Sequence, residues 1–216
     1  MPADQPTQQA PALRADARRN RESLVTAARA VFAERGLGAP LEEVARRASV
    51  SIGTLYNRFG ARTDLVDAVY ADRVEETVRS AERATQAEDP WQGLVEHLTF
   101  MAQIQASDRG FEDVCVYSFP PGSVIERAKA RGHSVFVALV GDAQHSGALR
   151  DDISVADLGL LLWSVVRATE GIRSSAPDAW RRHLAVLLDG LRAQAAHPVP
   201  GPPLDQALVR QAMTFG

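Results

Sequence analysis

Apolar residues return along most of this chain at the 3.6-residue period of a helix. Between Ala17 and Arg35, Leu24, Ala28, Val31 and Phe32 fall on one face, with Arg and Glu elsewhere, and Gly36 and Gly38 end the pattern. Pro40 stands at a first helical position before "LEEVARRA", whose buried stripe is Leu41, Val44, Ala45 and Ala48. Ser49–Val50 makes a turn, and Ser51 is an N-cap for a third helix from Ile52 to Phe59. Gly60 breaks that helix, and a long fourth one begins at Ala61 or Thr63 and reaches about Gln86.

The remainder also reads as helices: Trp91–Gln105 behind Asp89–Pro90, a short apolar stretch at Phe111–Phe119 ended by Pro120–Pro121, Ser123–His145, Val155–Gly171 and Asp178–Ala195. "SVFVALV" at 134–140 has strand propensity, but no partner strand exists for it, so it is assigned to a helix. The predicted fold is all-α: a three-helix helix-turn-helix domain at 16–65, then a larger helical domain at 66–196. A Pro- and Gln-rich arm expected to be disordered (1–15) precedes them, and a Pro-rich linker with a short amphipathic end (197–216) follows.

The stretch "SVSIGTLYNRFGARTDL" gives the small domain its purpose. Ile52, Leu55 and Phe59 share one face at i, i+3 and i+7, so Gly53, Thr54, Tyr56 and Asn57 point outward. Gly53 allows close approach of a backbone. Thr54 and Asn57 suit base edges, and the Tyr56 hydroxyl suits a phosphate. One face seats the helix and the other is shaped for a major groove. Charge agrees: residues 1–65 hold ten Arg against seven acidic residues, and residues 66–216 hold fourteen basic against twenty acidic.

At these residues the chain resembles the tetracycline-repressor (TetR) family of bacterial regulators. The marks are Val44-Ala45, Ala48, Val50-Ser51, Gly53-Thr54-Leu55-Tyr56, Phe59 and Leu65, with "RRNRESLVTAARAVFAERG" matching the family's first helix. The resemblance is specific over about Arg18–Tyr70. It implies a homodimeric repressor, with DNA contacts at Arg19, Ser51, Gly53, Thr54, Tyr56, Asn57 and Arg62, on a palindromic double-stranded operator released when a small-molecule effector binds. Three positions depart from the pattern: Pro40 replaces a capping Thr, Ser49 a turn glycine, and Arg62 a phosphate-binding Lys. Pro40 and Ser49 favour the alternative, a helical protein-interaction module whose helix-turn-helix no longer binds DNA.

In the larger domain the resemblance implies an effector pocket, for which Phe100, Met101, Ile104, Cys115, Tyr117, Trp163 and Arg167 are the candidates; each apolar one reads equally as core. Arg167 and Glu170 form either a surface pair or a polar handle, and His97 is a further handle. Leu158, Leu162 and Val165, with Leu184, Leu187 and Leu191, exceed what one core face needs and suggest a dimer interface of two helices per subunit. The five His show no metal spacing, and no nucleophile-base or paired-acid site supports an enzyme, so no metal, cofactor or reaction is expected. Cys115 is the only cysteine, which excludes an intramolecular disulfide; no cationic neighbour or second Cys supports a redox role. No apolar run approaches the roughly 20 residues of a membrane span, and a cytoplasmic protein is the expectation.

Overall fold

The computed structural model describes residues 9–212. Among these, the regular elements are helices: α1 (Gln9–Arg35), α2 (Leu41–Arg47), α3 (Ile52–Phe59), α4 (Arg62–Ala84), α5 (Pro90–Ser107), α6 (Arg109–Val116), α7 (Val124–His145), α8 (Val155–Glu170), α9 (Ala179–Leu191) and α10 (Gln206–Ala212). A 3-10 turn at Ala193–Ala195 follows α9. "SVFVALV" lies within α7, as the periodicity predicts.

Caps set most boundaries. The side chains of Ser51, Asp89, Asp108, Ser123 and Ser154 accept hydrogen bonds from the first-turn amides of α3, α5, α6, α7 and α8. Pro40 sits one position earlier than the sequence suggests: it is the N-cap of α2, extended at φ −60°, ψ 131° and without a side-chain cap. The expected arm is shorter at its inner end, because α1 already starts at Gln9. Pro11 is tolerated there, since the first-turn amides of a helix have no intrahelical acceptor to lose. Residues 1–8 lie outside the described residues.

Two cores organise the molecule. The first joins α1, α2, α3 and the N-terminal half of α4 to Phe111 and Val114 of α6 and Ile125 of α7. The second joins Trp91, Leu94 and Leu98 of α5 to Leu139 and Val140 of α7 and to the apolar stripes of α8 and α9. Met101 touches both. Leu158, Leu162, Val165, Leu184 and Leu191 are all buried in the second core, and Leu187 is partly buried against it. The interface assigned to these six is therefore corrected: α8 packs on α5, and α9 on both, so their stripes are consumed within the subunit. Gly159, Ser164 and Ala168 of α8, and Arg181, Arg182, His183, Ala185, Val186, Asp189 and Gly190 of α9, are left exposed.

Candidate nucleic-acid interface and effector cavity

The α2–α3 turn forms around Ser49, whose φ is +58°. A Cβ in that region costs about 1 kcal/mol relative to glycine, and the turn keeps its shape: the Val50 amide donates to the Ala45 carbonyl at 3.0 Å. Ser51 then caps α3, its Oγ accepting from the Thr54 amide at 3.1 Å and lying 2.9 Å from Thr54 Oγ1. Leu55 and Phe59 are buried, and Ile52 packs partly buried beside them.

The opposite face is open. Tyr56 is 49% exposed, and Gly53, Asn57 and Arg58 are exposed beside it. A Cβ on Gly53 would meet nothing nearer than Ser51 Oγ at 3.8 Å. No neighbour among the described residues excludes a side chain there. Arg58 has no ion-pair partner among the described residues, and the sequence reading passed over it; its signal is a basic residue next to Asn57 on the polar face. Arg19 is exposed on α1 and pairs with Asp16, while Arg21 lies over the Phe59 ring at 5.3 Å.

Arg62 is placed differently. Its Nη1 donates to the carbonyls of Leu37 at 2.6 Å and Ala39 at 2.7 Å. The guanidinium is thus a clamp on the α1–α2 loop, a position at odds with a primary role as phosphate ligand.

Where the two cores meet, α4, α5, α6, α7 and α8 line a half-open cavity of about 250 Å³. Val74, Thr77 and Val78 of α4, Phe111, Val114 and Cys115 of α6, and Trp163 of α8 form much of its wall, and Gln206 and Val209 of α10 reach its mouth. α10 is brought there by the linker: the Leu204 amide donates to Asp157 at 3.3 Å, and Ser154 Oγ donates to the Leu204 carbonyl at 3.0 Å. Of the pocket residues expected from sequence, Met101, Cys115 and Trp163 are in the wall. Phe100 lines a second pocket with Ser80, Arg83, Glu96 and His97, so His97 borders both. Ile104 and Tyr117 pack in or against the first core. Arg167 instead meets Glu112 at 3.4 Å and Glu170 at 2.8 Å, outside the wall. Burial pushes the Cys115 thiol up to about 12, the opposite of what a reactive thiolate requires.

α6 carries the features no periodicity could show. A Cβ on Gly110 would meet Tyr70 Oη at 2.3 Å and Phe32 Cβ at 2.8 Å, so only glycine lets α6 press this closely on α1 and α4. Tyr70 donates to Asp108 at 2.9 Å at the start of α6. Asp113 Oδ2 accepts from the Leu37 amide at 2.8 Å. Burial raises both Glu112 and Asp113 above the usual carboxylate range, opposed by Arg167 at the first and by the Leu37 N–H at the second. Leu37 is consequently held twice, its amide by α6 and its carbonyl by α4.

Comparison with known proteins matches residues 24–69 to the family described as bacterial regulatory proteins, tetR family, and residues 89–193 to the transcriptional regulator SbtR-like C-terminal domain. Among solved structures, a TetR transcription regulatory protein from Mycobacterium vanbaalenii is 35% identical over 83% of this chain and 99% of its own, with a TM-score of 0.47. A TetR transcriptional regulator from Streptomyces coelicolor is 28% identical over 80% of this chain and 98% of its own, with a TM-score of 0.51. FadR from Bacillus subtilis, in complex with stearoyl-CoA, shares the fold at 16% identity, covering 82% and 99%, with a TM-score of 0.56. A search of curated proteins gives no match. No helix among the described residues is long and apolar enough to cross a membrane.

Proposed function

This chain belongs to the TetR family of bacterial transcriptional regulators, and from that premise we propose that it is a homodimeric cytoplasmic repressor that leaves its operator when a small molecule fills the cavity between its two cores. The observation that carries the coupling is the double hold on Leu37. Val74, Thr77 and Val78 face the cavity on the same helix whose first residue, Arg62, grips the α1–α2 loop. Twelve residues separate Arg62 from Val74, roughly 18 Å at the helical rise. α6 provides the second route, with Phe111, Val114 and Cys115 in the wall and Asp113 on the Leu37 amide. A ligand that binds one arrangement of α4 and α6 better than the other shifts the loop and α3 by that difference in affinity.

On DNA, α3 enters the major groove. Tyr56 donates to a phosphate, Thr54 and Asn57 meet base edges, and Ser51, Arg19 and the unpaired Arg58 add contacts to the backbone. Two copies of α3, roughly 34–36 Å apart, match successive grooves of a palindromic site. The exposed small residues Ser164, Ala168, Ala185 and Gly190, with Val186, form the face on which α8 and α9 of two subunits close a four-helix bundle. Ser49 keeps the turn despite its positive φ, which removes one of the two features favouring a module that no longer binds DNA.

The test is fluorescence anisotropy on the DNA flanking the protein's own gene. Asn57→Ala should weaken operator binding by about 1–3 kcal/mol and relax preference at one base pair, whereas Tyr56→Phe should weaken binding to all sequences alike. An Asn57→Ala protein with wild-type operator affinity would exclude this docking of α3. Asp113→Ala should retain operator binding and lose most of the response to effector.

A further inference from the structure

His97, Met101 and Gln105 follow one another at i, i+4 and i+8 on α5, and all three line the cavity. The stripe is polar, apolar, polar. Gln105 is 3% exposed, and its side-chain amide has no hydrogen-bond partner among the described residues. Gln105 borders the cavity, where a ligand group can complete the hydrogen bonds of its amide. His97 is 6% exposed; its Nδ1 lies 3.2 Å from Ser80 Oγ, and its ring rests against Phe136 with centroids 5.4 Å apart. The second ring nitrogen has no hydrogen-bond partner among the described residues, so it is available to a ligand.

The charged groups of the wall are already engaged. Lys129 donates to the carbonyls of Val114 at 2.7 Å and Tyr117 at 2.5 Å, closing the end of α6. Glu126 accepts from the Phe119 amide at 3.2 Å, and His133 also has a partner within the protein. A charged ligand group beside α5 would lose its hydration without a dedicated counter-ion. Burial lowers the His97 pKa to about 4, so the imidazole is neutral at physiological pH and offers one donor or one acceptor.

Size narrows the class further. A cavity of about 150 Å³ accommodates a benzene ring, so one of 250 Å³ accommodates about ten ligand atoms, one or two rings. Eight residues of helix separate the two polar side chains by roughly 12 Å of rise. A hydrogen bond of about 3 Å at either end leaves roughly 6 Å between the ligand's polar atoms.

We infer that the effector is an uncharged one- or two-ring compound with a hydroxyl or carbonyl at each end, lying along α5 over Met101 and bridging His97 and Gln105. This rests on the reading of the cavity as the effector site.

The experiment titrates full-length protein by calorimetry with three probes on one frame: benzene, benzene-1,4-diol and benzene-1,4-dicarboxylate. The diol is expected to bind at least tenfold more tightly than either of the others. Gln105→Leu and His97→Phe should each bring the diol to within about threefold of benzene; if His97→Phe does not fold, Gln105→Leu decides alone. Tightest binding by the dicarboxylate, or a diol affinity untouched by Gln105→Leu, overturns the ligand class while the cavity reading survives, provided that Trp163→Ala still alters binding. If no probe binds, or if binding is unaffected by Trp163→Ala, the cavity reading falls and takes the ligand class with it.

Discussion

The first core and the second differ in what their surfaces leave over. The first packs the helix-turn-helix against α6 and α7 and still presents one whole face of α3, with Tyr56, Asn57 and Arg58 outward. The second absorbs most of the leucines of α8 and α9 and leaves outside small residues of α8, Val186, and the charged and small residues of α9. Neither core fills the seam between them, and the cavity is there. A ligand-responsive regulator needs such a division: one unit to read DNA and a second whose packing a ligand can bias. The two cores are joined along α4, α5 and α7, each of which gives residues to both, and at Met101, which touches both.

The largest effect should come from placing charge in the second core. Leu191→Glu buries a carboxylate with no partner and should destabilise the protein by more than about 3 kcal/mol. Val186→Glu, at an exposed position, should leave the thermal transition of each subunit nearly intact and yield monomers by light scattering. The reverse pattern would return the interface to the buried leucines.

Acid should act next, at the seam. The pKa of His97 is lowered in the folded protein to about 4 from about 6.5 in the unfolded chain, so between these values the unfolded chain binds more protons. Stability is therefore full above about pH 6.5 and is lost as pH falls toward 4, by up to roughly 3 kcal/mol. Urea unfolding at pH 7 and at pH 4.5 checks this. His97→Gln should flatten that part of the profile, and an unchanged profile would place the proton uptake elsewhere.

Arg62→Ala separates clamp from phosphate ligand. Loss of the two carbonyl contacts should destabilise the small domain by about 1–2 kcal/mol. As a clamp alone, Arg62 contributes nothing to counterion release, so the salt dependence of operator binding should keep its slope. A slope reduced by about one to two per dimer would assign phosphate contact to Arg62 as well.

The smallest effect is a gain. Ser49→Gly should relieve the left-handed turn, stabilising by about 1 kcal/mol and raising the thermal midpoint by roughly 2–4 °C. No rise would mean that the Ser49 side chain offsets its own strain.

Much of the small domain was legible because its signals are local. Ser51 announces α3 three residues before the amide it caps, and Gly60, at φ +62°, ends the helix as expected. The effector domain was legible as helices and much less as a site. Met101, Cys115 and Trp163, candidates on the resemblance, lie in the cavity wall, whereas Gln105, Glu112 and Asp113 look like ordinary surface residues of amphipathic helices. Their roles come from neighbours distant in sequence: Asp113 meets an amide 76 residues away.

What the sequence by itself determined is the succession of helices, their caps and turns, and the polar face of α3, since periodicity, capping and turn chemistry act within a few residues. Only the tertiary structure decided which leucines of α8 and α9 face their own subunit, that Arg62 reaches back to the α1–α2 loop, and that the two cores fail to close over Gln105. Those outcomes depend on how whole helices pack on one another, and a helical stripe is equally apolar whether it meets its own core, a second subunit or a ligand.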